Sequence, residues 1–403
     1  MTVIVIGGGA SGMVAAITAG ERRENSVILL ERQARLGRKL MATGNGRCNL
    51  TNTDCSLQHY HGTDVGFMAH TIEAFPPADV LEFFKDLGLL TVTEPGGRVY
   101  PLSNSANSVA DVLRYGLEQS GVRLLSGQPA REIKRAGGGF SVITDTESLE
   151  ADAVIVAAGG AAGEKLGGGK DGYALLQSLG HSRTALRPAL VQITTENAYP
   201  RALKGIKADA GLTLESGGEV LASGAGELLF TDSGVSGPAA FDASRAVSEA
   251  GDRQMTLALD FLRAYPEKDV FALLSARREK AQALAAGELL TGALHNRLGR
   301  MVVKYAGLDG TKPIGALTDG ELRRAVSACK AFTLPVRGTE GFQNAQVTAG
   351  GIRTSEFDPA TLESRLVPGL FACGEVLDID GDCGGYNLQW AWASGRLAGR
   401  LGR

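Results

Sequence analysis

The feature that most narrows what this chain can fold into is a glycine turn placed directly after a strand. Thr2 to Ile6 is β-branched and apolar, Gly7-Gly8-Gly9-Ala10-Ser11-Gly12 fits G-x-G-x-x-G, and Ser11 to Arg23 is helix-compatible. Ser26 to Leu30 is again apolar and extended, which completes a βαβ unit. In such a unit Gly7 permits the tight turn, Gly9 lets the backbone approach a pyrophosphate, and Gly12 lets the helix pack close to the strand. The helix start at Ala10 and Ser11 supplies partial positive charge. Glu31 ends the second strand about 20 residues beyond the glycines, where a carboxylate accepts hydrogen bonds from ribose hydroxyls and repels a 2′-phosphate. This site is therefore expected to take FAD or NAD rather than NADP.

A second formal match, Gly167-Gly168-Gly169-Lys170-Asp171-Gly172, lacks a strand immediately before it and an acid at the right distance after it. It reads as a helix-capping loop, with Asp171 capping a helix from Gly172 to Leu179 and Gly180 ending it. The absence of a second full fingerprint argues against a disulfide reductase with two nucleotide domains.

At 403 residues the chain exceeds a single core, so two or three domains are expected. Its 55 glycines are well above the usual share of about 7% and cluster in short turns between apolar runs. Ser108 to Gln119 has helical spacing, Ala130 to Thr144 resembles a hairpin turning at Gly137-Gly138-Gly139, and Ala153 to Ala157 is a buried strand. From about Pro188 short strands and turns such as Ser216-Gly217-Gly218 suggest a β-rich module; from about Pro266 helix formers dominate. After about Gly338 strands and glycine turns return, and an apolar helix starts near Asn387. The expected division is an FAD-binding domain at 1–187 and 338–403, a β-rich second domain at 188–265 and 316–337, and a helical insertion at 266–315.

A net charge of −3 gives no global drive toward nucleic acid or membrane. The odd set Cys48, Cys55, Cys329, Cys373 and Cys383 contains no C-x-x-C pair, which disfavours a disulfide framework or zinc ribbon. The apolar opening lacks a basic flank and is cut short by glycines, and no window approaches the roughly 20 apolar residues of a membrane span. The expectation is a cytoplasmic protein.

Two long motifs go further. Gly37-Arg38-Lys39 through Thr43-Gly44-Asn45-Gly46-Arg47-Cys48-Asn49-Leu50-Thr51-Asn52, together with the run from Gly374-Glu375 to Gly384-Gly385-Tyr386-Asn387-Leu388-Gln389-Trp390-Ala391-Trp392, closely resemble a bacterial flavoprotein family. Its members are known as BaiN-like, YhiN-like or aminoacetone-oxidase-like NAD(P)/FAD-dependent oxidoreductases. The resemblance covers essentially the whole chain. It implies a Rossmann-like α/β FAD-binding domain of glutathione-reductase type, a β-rich second domain and a helical insertion.

Carried over to this sequence, the resemblance places Arg38 and Lys39 at the FAD phosphates and the turn through Ala158 and Gly159 against the flavin. Gly374 and Glu375 then reach the ribityl and pyrophosphate region, and Gly385, Tyr386, Asn387 and Leu388 lie along the isoalloxazine ring. Arg32, Asn45, Gly46, Arg47, Asn49 and Ala130 complete the expected cofactor contacts. A helix starting near Asn387 aims its positive end at the flavin edge where negative charge develops on reduction.

The catalytic group is less legible. Cys48 is either a redox thiol or a small buried hydrophobe. Phe230-Thr231-Asp232-Ser233-Gly234-Val235-Ser236-Gly237-Pro238 looks like the family's second-domain motif, but Asp232 stands where many relatives have histidine, which puts a proton-donor role in doubt. Tyr386 is a third candidate. Asp378, Asp380 and Asp382 mimic the start of a calcium loop, yet Cys383 and Gln389 occupy its glycine and glutamate positions, so no metal is expected. His59 and His61 read as a polar loop.

The leading expectation is an FAD enzyme that reduces an unsaturated small molecule with electrons from a transiently bound NAD(P)H. Its rivals are an amine oxidase, an RNA uridine reductase using a local basic face that includes Arg35, Arg38, Lys39 and Arg47, and a non-catalytic flavin-binding protein.

Overall fold

In a computed structural model, which describes residues 1–402, the chain forms two compact units: Met1–Pro188 with the chain from Phe342 onward, and Ala189–Gly341. The first is built on the expected βαβ unit: β1 (Thr2–Ile6), α1 (Ala10–Gly20) and β2 (Ser26–Glu31). β1 is the middle of a parallel five-stranded sheet ordered Leu370–Ala372, Ala153–Val156, β1, β2, Arg123–Ser126. Ile4 lies opposite Val154 on one side and Ile28 on the other. The inner strands are continuous apolar runs because a parallel sheet is covered on both faces, whereas the edge strand Arg123–Ser126 is largely exposed. A helix from Tyr386 to Gly399 covers one of them together with α1. The hairpin expected around Gly137-Gly138 is present as Glu132–Ala136 against Gly139–Ile143, joined by Ser148–Ala151.

The second unit contains a closed six-stranded barrel ordered Ile193–Thr195, Gly234–Ser236, Glu219–Phe230, Lys207–Ser216, Thr256–Asp260 and Phe332–Thr339. The hairpin at Gly217-Gly218 joins strands of 10 and 12 residues, longer than the sequence texture suggested, since Lys207–Ser216 is paired on both flanks and carries the ladder past Gly224 and Gly226 of its partner. Helices Glu267–Lys280, Asn296–Tyr305 and Asp319–Lys330 follow. The last occupies most of 316–337, a stretch read as β-rich. Its start is fixed by a capping box in which Thr318 and Glu321 exchange hydrogen bonds with each other's backbone amide.

The first unit is locked by a buried clamp. His181 Nδ1 lies 2.9 Å from a Glu356 oxygen, its Nε2 lies 3.0 Å from Ser364 Oγ, and its ring stacks on Phe357 at 4.6 Å. Ser364 Oγ also accepts from the amides of Leu366 and Val367, so this serine is a structural acceptor and not a nucleophile. Burial pushes the His181 imidazole down against the opposing pull of Glu356. Burial pushes the Glu356 carboxyl up, but hydrogen bonds from Ser182 and His181 outweigh it and hold the group low. Both folded values lie below the unfolded ones, so both groups stabilise the fold at higher pH and lose that contribution on acidification. Thermal melting is expected to fall as pH drops below about 6.5, at up to about 1.4 kcal/mol per pH unit for the histidine proton. A melting temperature that changes equally with pH in wild type and His181→Gln contradicts this.

Candidate functional site

The glycine turn is made by close packing. A Cβ on Gly12 would stand 1.8 Å from the Gly7 carbonyl oxygen and 3.1 Å from Ala157 Cβ, and one on Gly7 would stand 2.4 Å from the Ala157 oxygen. Gly9 differs: nothing lies within 4 Å of where its Cβ would be. It is the N-cap of α1 and carries no side-chain cap, so the first amides of that helix are left for an external acceptor. Glu31 is buried at the end of β2 and accepts from the amides of Gly8 at 2.7 Å and Gln33 at 2.6 Å. The two-oxygen carboxylate keeps lone pairs for further donors. On the far side of β1 the Ala153–Val156 strand runs into Ala158 and Gly159, and Ala130 follows the Arg123–Ser126 strand that pairs with β2.

Both ends of the sequence meet here. A Cβ on Gly374 would stand 2.4 Å from Ser11 Oγ, and one on Gly395 would stand 2.3 Å from the Ser11 carbonyl oxygen, so the carboxy-terminal helix lies against the start of α1. Ser394 Oγ accepts from the Gly374 amide at 2.9 Å, and Trp390 Nε1 donates to the Gly374 carbonyl at 3.1 Å. Lys39 pairs with Glu375 at 2.7 Å, and the other Glu375 oxygen accepts from the Thr348 amide at 2.7 Å. Gly385, the N-cap of the last helix, has φ +104° and sits where a Cβ would be 2.5 Å from the Thr51 backbone. Asn387 brackets Gly381 with both side-chain atoms, at 2.9 and 2.7 Å. Leu388 is half-buried against the core. Trp392 Nε1 donates to Leu50, which ties the two motifs together once more.

An uncapped helix start, an open approach at Gly9, and a buried ribose-type carboxylate suit a dinucleotide. The buried Asn49 Oδ1, which has no hydrogen-bond partner, lies 3.0 Å from the Cβ position of Gly385 and adds an acceptor in need of a donor. The residues therefore fit FAD.

Other predicted contacts are engaged elsewhere. Arg32 pairs with Asp171 at 2.5 Å and donates to the carbonyls of Gly167 and Gly168. Asp171 is thus not the helix cap expected: the helix runs Asp171–Ser178, its N-cap Lys170 makes no side-chain cap bond, and the carboxylate is held by Arg32. Arg38 donates to Gln33 Oε1 and the Lys165 carbonyl. Arg47 lies over the Tyr100 ring at 3.9 Å, pairs with Glu94 and donates to Asn104. Asn45 and Gly46 are exposed, with left-handed backbones of φ 57° and 84°.

Among the catalytic candidates, Cys48 is fully buried, and burial pushes its thiol up to about 12. That leaves no thiolate at neutral pH. Alkylation of the native protein is expected to leave Cys48 unmodified and to reach it after denaturation; rapid native labelling contradicts this. Asp232, in the second unit, is exposed and ion-paired with Lys204. Tyr386 is buried, its phenol pushed up to about 12 chiefly by burial.

One constellation was missed. Asp382 bridges two imidazoles, with Oδ1 at 2.7 Å from His61 Nε2 and Oδ2 at 3.1 Å from His59 Nδ1, while the His59 ring stacks on Tyr386 at 4.4 Å. Its only local signal is the His59-Tyr60-His61 alternation; the partners lie more than 300 residues away. Asp378, the first residue of the run that mimics a calcium loop, accepts from Thr63, and among the described residues no three or more His, Cys, Asp or Glu side chains are grouped to hold a metal.

The HI0933-like protein Rossmann domain family matches residues 1–401. The chain belongs to this family. Among curated relatives of this HI0933-like protein, it is 39% identical to a 3-dehydro-bile acid delta(4,6)-reductase of Clostridium scindens, over 98% of this chain and 97% of the relative. It is 27% identical to a ribosomal RNA dihydrouridine synthase of Escherichia coli, over 97% and 95%. Among solved structures, the 3-ketosteroid delta1-dehydrogenase of Sterolibacterium denitrificans superposes with a TM-score of 0.54 at 14% identity, covering 99% of both chains. The HI0933-like chain thus has the Rossmann-type FAD-binding fold of a flavoprotein oxidoreductase. No helix among its described residues is long and apolar enough to cross a membrane.

Proposed function

We propose that this protein is an FAD-dependent reductase that takes electrons from NADH or NADPH and saturates a C=C bond conjugated to a ketone in a steroid-like ring system. The observation that carries the reading is the end-to-end 39% identity to a bile acid reductase, well above the 27% shared with the RNA-modifying relative. A net charge of −3 also gives no support to an RNA substrate.

Bound FAD supplies the hydride chemistry that connects nicotinamide to acceptor. The chain supplies the cradle. The start of α1 would hold the pyrophosphate, Glu31 would orient the adenosine ribose, and Gly374 with the Lys39–Glu375 pair would flank the link to the flavin. The N-terminus of the last helix, at Gly385 and Tyr386, would supply partial positive charge to the edge of the ring where charge accumulates.

The test is anaerobic. Purified holoprotein is mixed with NADH or NADPH, flavin bleaching is followed, and a 3-oxo-4,6-diene steroid or a ribosomal RNA transcript is then offered to the reduced enzyme, while an amine is offered separately to the oxidised enzyme as a rival electron donor. Bleaching followed by fast recolouring with the steroid supports the reading. Failure of both nucleotides to bleach the flavin, or recolouring by the transcript alone, overturns it.

A further inference from the structure

The reduction needs a proton as well as a hydride, and the three catalytic candidates read from sequence are poor sources. Cys48 and Asp232 are removed by burial and by exposed ion pairing. Tyr386 is occupied in a stack between His59 at 4.4 Å and Tyr60, edge-on at 5.8 Å. What stands beside Tyr386 is the Asp382-bridged histidine pair.

Its construction is specific. The short strand Tyr60–His61 pairs antiparallel with Asp380–Gly381, and the Asp382 amide donates to the His59 carbonyl at 2.9 Å, so the carboxylate is delivered between the two rings by backbone register. The Asp382 carbonyl and the Gly381 amide are in turn gripped by Asn387, in the first turn of the last helix. The histidine pair is therefore wired to the segment that lies along the flavin in the reading above. Asp382 accepts at His61 Nε2, which fixes the neutral ring with its proton on Nε2 and leaves Nδ1 as the nitrogen that gains and loses a proton. Among the described residues no hydrogen bond reaches that Nδ1, and the ring is about one-third exposed, at 35%. His59 has less freedom: its second nitrogen faces Asp54 at 3.5 Å.

We propose that His61, oriented by Asp382 and braced through it by His59 and Tyr386, donates the proton in the reduction. The inference rests on the reductase reading. The charged and titratable groups facing the unit are the buried Asp380 directly opposite His61, Asp54 on His59, Tyr60, Arg98 and Cys55 near Tyr386, and Asp382 itself. Burial pushes the Asp382 carboxyl up, but hydrogen bonds from His61 and His59 outweigh this and keep it ionised. In the step, the acceptor's C=C π bond breaks and one carbon receives a hydride whose electrons come from the nicotinamide through FAD. The neighbouring carbon takes the Nδ1 proton of the His61 imidazolium, leaving the neutral ring with its proton on Nε2 against Asp382. The N–H electron pair stays on the imidazole, which is reprotonated from solvent at its exposed edge.

Stopped-flow reoxidation of dithionite-reduced holoenzyme by a 3-oxo-4,6-diene steroid separates the possibilities. His61→Ala is expected to keep its flavin and melting temperature, to reoxidise about 100-fold more slowly, and to recover part of the rate when free imidazole is added. Independently of turnover, nitrogen-15 spectra are expected to show the Nε2–H tautomer of His61 in wild type and its redistribution in Asp382→Asn. A wild-type flavin that the steroid does not reoxidise removes the reductase reading and the donor with it. A His61→Ala enzyme that keeps pace with wild type, or a wild-type Nδ1–H tautomer, removes the donor alone.

Discussion

Replacing Gly12 with valine is expected to yield protein without bound flavin and less stable by about 3 kcal/mol or more. The Cβ alone would stand 1.8 Å from the Gly7 carbonyl oxygen, which is backbone inside the turn rather than the end of a flexible side chain. The helix must then lift away from the strand or the turn must open. Overpacking of this kind costs about 1–3 kcal/mol where side chains can yield, and more where only backbone can. Either movement misaims the amides of Ala10 and Ser11, so cofactor loss should exceed what the stability loss explains. The check is flavin content per chain and melting temperature, with Gly9→Ala as control. Nothing lies within 4 Å of a Cβ at Gly9, so that variant tests approach of the ligand and leaves packing alone. Normal flavin content in Gly12→Val contradicts the account.

The second large effect is expected at Glu31. Alanine there strands the Gly8 and Gln33 amides, which the carboxylate accepts at 2.7 and 2.6 Å, and removes the acceptor of the ribose hydroxyls. An orphaned buried amide costs about 1–3 kcal/mol, and hydrogen bonds to a charged acceptor contribute about 1.5 kcal/mol each or more. Loss of two from the ligand therefore corresponds to roughly 100-fold weaker FAD binding, on top of a lower melting temperature. Glutamine keeps one acceptor and should fall between. Equal FAD affinity in wild type and Glu31→Ala would show that this carboxylate serves the turn only.

The parts of the fold legible in sequence are those whose signals are local. The βαβ unit, the glycine turn, the hairpin at Gly137-Gly138 and the last helix each announce themselves within a few residues, through strand alternation, turn glycines and helical spacing. Closure of the barrel was not legible, because Ile193–Thr195 pairs with Phe332–Thr339 across about 140 residues that carry no pairing code. The helix at Asp319–Lys330 was readable in principle: Thr318 followed by Glu321 is a capping box.

The site divides along the same line. Glu31 and the glycines are placed by spacing from a strand, whereas the Lys39–Glu375 pair joins residues 336 apart and the Asp382–His61 bond joins residues 321 apart. Residue type gives warning of a possible role at such positions; only the fold gives the partner. Arg47 shows the converse, since a basic residue inside the motif is held by Glu94, Asn104 and the Tyr100 ring.

The central claim is that one FAD is held by segments from both ends of the chain, and it is tested most directly by titrating deflavinated protein with FAD, in wild type and in Gly385→Val. The valine would push against the Thr51 backbone, 2.5 Å from its Cβ, in a turn held at φ +104°, some 370 residues from the glycine turn it is said to assist. One equivalent of FAD bound per wild-type chain, with binding lost in the variant, is the predicted result. Wild-type protein that takes up no FAD, or a variant that binds it as tightly as wild type, contradicts the account.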